Sequence, residues 1–143
     1  MRVRLLEPLL AGALLALPAF AADVTVSGAW MRALPAHLPA AGYFTLRNQG
    51  KDPVSLTGAS SSACGMLMLH KSTQSGGVGA MEDVASIALP AGGEVKFSPG
   101  SYHLMCMDPT VAVKPGTSVD VTLSFSDGGK TVVPFAVKNA QGK

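Results

Sequence analysis

Turn signals punctuate this chain so often that long helices have no room between them. After residue 22 they fall at Gln49-Gly50-Lys51-Asp52-Pro53, Ser75-Gly76-Gly77, Leu89-Pro90-Ala91-Gly92-Gly93, Ser98-Pro99-Gly100, Asp108-Pro109, Lys114-Pro115-Gly116 and Asp127-Gly128-Gly129. Glycine and proline break regular backbone for opposite reasons, one by freedom and the other by a fixed φ and a missing donor. The segments left between them alternate apolar and polar residues, the period of a half-buried strand. Such segments begin at Val24 and Val26, run over Gly42–Asn48, Val54–Gly58, Met66–His70, Tyr102–Met107, Val119–Phe125 and Thr131–Val137, and include short stretches around Met81 and around Val95 and Phe97. No amphipathic helix is legible past residue 22. Eight or nine short strands predict an all-β domain, a β-sandwich or Greek-key barrel.

The first 21 residues stand apart. Arg2 and Arg4 precede an apolar run from Leu5 to Leu17, and Ala19-Phe20-Ala21 places small residues where a signal peptidase reads. The run is shorter than the ~20 residues a membrane span needs. The expected organisation is a cleaved signal peptide, 1–21, and one domain, 22–143, exported without stable membrane insertion. No cysteine directly follows the run, which argues against lipid anchoring there. Sixteen glycines, ten prolines and a formal net charge of +2 give neither a basic run nor an aromatic platform, so nucleic acid is not an expected partner.

Chemistry concentrates in one window. Five of the seven methionines, Met66, Met68, Met81, Met105 and Met107, share it with two of the three histidines, His70 and His103. Ten residues separate His70 from Met81, and twenty-one separate Met81 from the triplet His103-Leu104-Met105. Thioether sulfur is neutral and polarizable, so a set of imidazoles and thioethers suits Cu(I) and contributes little for Zn(II), Mg(II) or Ca(II). On a strand, His103, Met105 and Met107 project together, while Leu104 and Cys106 face the core. By the same parity Met66, Met68 and His70 share a face. The plain alternative is that the methionines are packing material and the histidines ordinary strand-end residues.

The spacing His70, Met81, His103, Met105 resembles the signature of the periplasmic copper chaperone family known as PCuAC. Ala29-Trp30-Met31-Arg32-Ala33, Ala40-Ala41-Gly42-Tyr43, Leu89-Pro90-Ala91-Gly92-Gly93 and Pro99-Gly100-Ser101-Tyr102-His103-Leu104-Met105 also resemble it, so the likeness extends over nearly all of 22–143. It implies a cupredoxin-like sandwich that binds one Cu(I) through His70, Met81, His103 and Met105. It further implies a periplasmic chaperone that delivers copper to a respiratory oxidase subunit, at a CuA-type centre, often alongside a second copper-handling protein. The chain departs from some members in carrying Lys71, not methionine, after the first histidine.

Two other readings stay open at this level. Cys106 could join His70, His103 and a methionine in a blue-copper electron carrier, although its parity opposes that of His103. The domain could also be a metal-free interaction module. Enzymatic readings lack support: there is no nucleophile elbow, no HExxH or Cys₂His₂ set and no phosphate loop. His37, between Pro35 and Pro39, reads as a surface loop residue, Trp30 as a core anchor, and Met68 and Met107 as lying outside the ligand set. Two cysteines in an exported chain predict a Cys64–Cys106 disulfide. Parity raises one difficulty, since Cys64 shares the face of His70 while Cys106 opposes His103; a bulge or turn near Gly65 would remove it.

Overall fold

The computed structural model describes residues 23–75 and 78–143. The expected signal peptide and the Gly76-Gly77 turn lie outside them. Ten strands follow in order: β1 Val24–Arg32, β2 Ala40–Asn48, β3 Val54–Ser60, β4 Cys64–Ser75, β5 Val78–Asp83, β6 Ile87–Leu89, β7 Glu94–Phe97, β8 Tyr102–Pro109, β9 Ser118–Phe125 and β10 Lys130–Lys138. One 3-10 turn, Pro35–His37, links β1 to β2. Among the described residues no helix is long and apolar enough to cross a membrane.

Hydrogen bonding runs in the order β5-β4-β8-β7-β2-β1-β10-β9-β3-β6, with β8 also pairing β2. Most neighbours are antiparallel; β1–β10 and β7–β8 are parallel. The sheet folds over so that β3 and β4, far apart in that order, come into contact. Side chains from both halves then share one core, with Leu69 and Leu104 in the same cluster as Leu123 and Phe125. At its centre the Phe44 ring stacks on Phe97 at 4.2 Å and meets Phe135 edge-on at 5.6 Å. The result is a β-sandwich.

The sixth strand was not foreseen. Ile87–Leu89 spans too few residues to show a period, yet it pairs β3 and buries both end residues. Asn48 ties it in place. Its amide nitrogen donates to the carbonyls of Asp52 and Leu89, while its oxygen accepts from the Gly50 amide. A buried amide with these partners carries no desolvation debt.

A bulge in β1 corrects the expectation for Trp30. Ser27 pairs Thr45 but Trp30 pairs Tyr43, so β1 holds one extra residue where Gly28 adopts φ +63°. A single inserted residue exchanges the two faces. Val24 and Val26 therefore pack inward before the bulge, and Met31, fully buried, does so after it. Trp30 and Arg32 turn outward. Trp30 lies 5.0 Å from the Tyr43 ring, and the Arg32 and Lys138 cations sit 5.3 Å from its own. It anchors an outer layer and not the core.

Candidate metal centre

The β4–β8 ladder carries the chemistry. His70 stands opposite His103, Met68 opposite Met105 and Met66 opposite Met107. Opposed residues share a face of the sheet, so these six side chains form three rungs on the outer face. The intervening pairs, Leu69 with Leu104 and Leu67 with Cys106, face the core. One pair of strands thus supplies apolar packing on one side and soft donors on the other.

The hairpin of β4 and β5 adds the remaining elements. Its register sets His70 against Asp83 and Ser72 against Met81. Met81 accordingly lies on the outer face, diagonal to His70, at the ~7 Å separation of such neighbours. It is 60 % exposed and borders a shallow depression of about 610 Å³ with Ser72, Thr73 and Gly100. All four residues singled out by spacing, His70, Met81, His103 and Met105, therefore fall on one face of three adjacent strands.

The two imidazoles are held differently from the thioethers. The rings meet edge to face, with centroids 5.5 Å apart. His103 is only 3 % exposed, although it lies on the outer side of the sheet. Its Nδ1 is 3.2 Å from the carbonyl of Ser101, an oxygen that also accepts the Ser72 amide at 3.1 Å. A carbonyl can only accept, so Nδ1 carries the proton and Nε2 presents a lone pair. That Nε2 is buried without a partner. Burial lowers the His103 pKa below its ordinary 6.5; the Ser101 hydrogen bond acts in the opposite direction and nearby His70 adds to the lowering. Burial thus favours the neutral ring, the form that can donate to a metal.

His70 Nδ1 is likewise buried and unpartnered. Its Nε2 lies 2.7 Å from a carboxylate oxygen of Asp83, but the contact is not aligned as a hydrogen bond, so that nitrogen too is unsatisfied. Asp83 is the residue that spacing missed. The only sequence signal would have been the β4–β5 register, which pairs it with His70 across a turn. Buried polar atoms without partners are rare in native structures and call for a reason. Three on two adjacent imidazoles, beside thioethers, have the chemistry of a site for a soft cation. Among the described residues no three His, Cys, Asp or Glu side chains gather as a Zn(II)-type site would need.

The cysteines are elsewhere. Cys64 and Cys106 are bonded, with sulfurs 2.03 Å apart, and both are buried in the core. The parity difficulty is met at the rung between Cys64 and Met66. There Asp108 takes φ +48°, opposite Gly65, and a Cβ on Gly65 would lie 2.9 Å from that of Asp108. The ladder register is the same on either side of this rung, so a local twist and not an inserted residue redirects Cys64. Cys106 faces away from His103 and holds no free thiol, which leaves the blue-copper arrangement without its thiolate. His37, in the 3-10 turn, is exposed and belongs to another part of the surface.

Comparison with known proteins places this geometry in context. Residues 24–137 match the family model described as "Putative lipoprotein LpqE-like". The chain is 35 % identical over 120 residues to "Putative lipoprotein Lxx21020" of Leifsonia xyli subsp. xyli, covering 83 % of this chain and 72 % of that protein. The solution structure of CuI-DR1885 from Deinococcus radiodurans is 33 % identical and superposes with a TM-score of 0.64, over 90 % of this chain and 83 % of the other. The copper-bound PCuAC domain from PmoF2, at 23 % identity, gives a TM-score of 0.69 over 82 % and 93 % of the two chains, a likeness of fold. Sequence and fold agree: the chain belongs to the LpqE-like family, whose β-sandwich it shares with the PCuAC domains.

Proposed function

We propose that this protein is a copper metallochaperone that holds one Cu(I) tightly between His70, His103, Met81 and Met105 and surrenders it to another protein. The observation that carries this reading is the pair of adjacent imidazoles with buried, unpartnered nitrogens facing a thioether ladder. Copper-bound relatives of the same fold support the choice of metal, and the one described as CuI-DR1885 supports the oxidation state.

The ligand set suits carriage and not catalysis or electron transfer. Neutral imidazoles and thioethers satisfy Cu(I) without thiolate, and electron-transfer copper sites ordinarily include one. Buried His103 and partly buried His70 form the floor, while Met81 stands exposed at the rim, where an incoming ligand can replace it first. Release then proceeds by stepwise exchange, each departing donor matched by one from the acceptor. The acceptor in this reading is a respiratory oxidase subunit with a CuA-type centre, served with or without a second copper chaperone. The site of action is the periplasm, reached through cleavage after Ala21. Relatives named as lipoproteins support export.

Anaerobic titration of Cu(I) against a chromophoric chelator tests the proposal. One tight equivalent is expected, reduced at least ten-fold in affinity by His103→Ala or Met105→Ala. A protein that binds no Cu(I) would be a metal-free interaction module. One that binds Zn(II) stoichiometrically and more tightly than Cu(I) would also refute the assignment.

A further inference from the structure

We infer that Met66, Met68 and Met107 form a second, weaker site for a soft monovalent cation, next to the His70–His103 pair and built from thioethers alone. Met66 and Met107 are directly opposed on β4 and β8, and Met68 is the next residue on the same face. Opposed side chains start ~5 Å apart at Cβ, and consecutive same-face residues on a strand are ~6.7 Å apart. Three unbranched side chains of methionine length reach a common point from such origins. Trigonal thioether coordination suits a d¹⁰ ion such as Cu(I) or Ag(I), which has no ligand-field preference and favours polarizable donors.

Packing does not explain these residues. The core beneath β4 and β8 is already filled from the opposite face by Leu69, Leu104 and Cys106. Met66 is 57 % exposed, and Met68 and Met107 are half-buried, so none is a gap-filler of the interior. The rung beyond them pairs Cys64 with Pro109, and Cys64 is bonded to Cys106 in the core, so neither cysteine offers a competing thiolate. Toward the other end, Met68 stands opposite Met105. The three-methionine site therefore adjoins a residue of the proposed chaperone site without using any of its four donors. A cation entering at exposed Met66 can step along the ladder, one thioether exchanged at a time, toward the buried imidazoles.

Silver(I), redox-inert, is the probe. The purified protein, carrying ¹³C-methyl methionine, is titrated with Ag(I) in chloride-free buffer and followed by NMR. Two equivalents are expected, the second shifting the Met66, Met68 and Met107 methyl resonances. Met66→Leu, at an exposed position, and the double variant Met66→Leu/Met107→Leu should each weaken the second equivalent at least ten-fold and spare the first. His70→Ala should weaken the first and spare the second. Absence of the first equivalent alone would indict the chaperone site and leave this one standing. Saturation at one equivalent on the histidines, or a second equivalent indifferent to both methionine variants, overturns the proposal.

Discussion

Replacing both cysteines by alanine should cost this domain much of its stability while leaving its copper affinity nearly intact. The bond joins residues 42 apart in sequence. In the chain-entropy treatment, closing a loop of that length removes ~13 cal/mol/K from the unfolded ensemble, or ~4 kcal/mol at 25 °C. Two small sulfur-sized voids in the core add to the loss, since Cys106 is fully buried and Cys64 nearly so. For a domain of this size ~4 kcal/mol corresponds to a fall of ~15 °C in Tm. The proposed copper site should persist because the pairs from Met66–Met107 to Lys71–Tyr102 fix the register of His70 against His103 without the bond. Urea unfolding of the Cys64→Ala/Cys106→Ala protein, followed by circular dichroism, measures the first effect. A larger m-value should accompany it, because the unfolded chain is no longer cross-linked. Chelator competition measures the second. A stability loss under 1 kcal/mol would refute the entropy argument, and a hundred-fold loss of Cu(I) affinity would show that the bond and not the ladder positions the ligands.

Acid should destabilise the apo protein through His103. Its folded pKa lies below the unfolded 6.5, so its contribution is fully present above pH 6.5 and is lost as pH falls through the folded value; urea midpoints from pH 7.5 to 5 should fall, less steeply in His103→Gln, and a rise on acidification would contradict the sign. Cu(I) affinity should weaken on acidification as protons compete with the metal for His103, which chelator titrations at several pH values would record. Zn(II) should bind weakly, since half of the proposed donors are thioethers, and calorimetry against Cu(I) would check it. Gly65→Ala should cost ~1–3 kcal/mol, because its Cβ would meet that of Asp108 at 2.9 Å; an unchanged Tm would show that the strand opposite moves aside freely.

Period-2 alternation made most of the sandwich legible, including which way Leu104, Met105 and Cys106 face. What it could not supply was register. The face of a residue is a local property, set by its place in the pleat, whereas its cross-strand partner depends on how distant segments meet. Hence Met68 was readable as sharing the face of His70 but not as standing opposite Met105, and Asp83 was invisible as a neighbour of His70. Parity itself failed at two places, each beside a residue with positive φ. At Gly28 an extra residue enters β1, whereas at Asp108, within the Asp108-Pro109 turn signal, the register is unchanged. The first turns Trp30 outward, and the second accompanies the turning of Cys64 toward Cys106. Burial of His103 was also beyond a pattern argument. An outward residue on a strand is ordinarily exposed, and here its neighbours cover it. His103→Ala is thus a buried substitution, and a loss of apo stability is expected from it.

That burial bears on how tightly a thiolate-free site can hold copper. Thioethers are weak donors individually, so affinity depends on how little must be ordered when the metal arrives. Burial favours the neutral form of His103, and its Nδ1 contact with the Ser101 carbonyl, which the β4 backbone also uses, favours the tautomer that frees Nε2. In the proposed site that carbonyl would serve as the outer-shell group that metal-bound imidazoles commonly have. Of the four proposed ligands Met81 is the most exposed, on β5 beside an open depression. In the proposed site a buried half and an exposed half would reconcile the two demands on a carrier: the first would set the affinity, and the second the rate at which an acceptor's ligands can enter. Stiffening the rim should therefore slow transfer more than it changes affinity, and loosening the floor by Ser101-loop substitution should do the reverse.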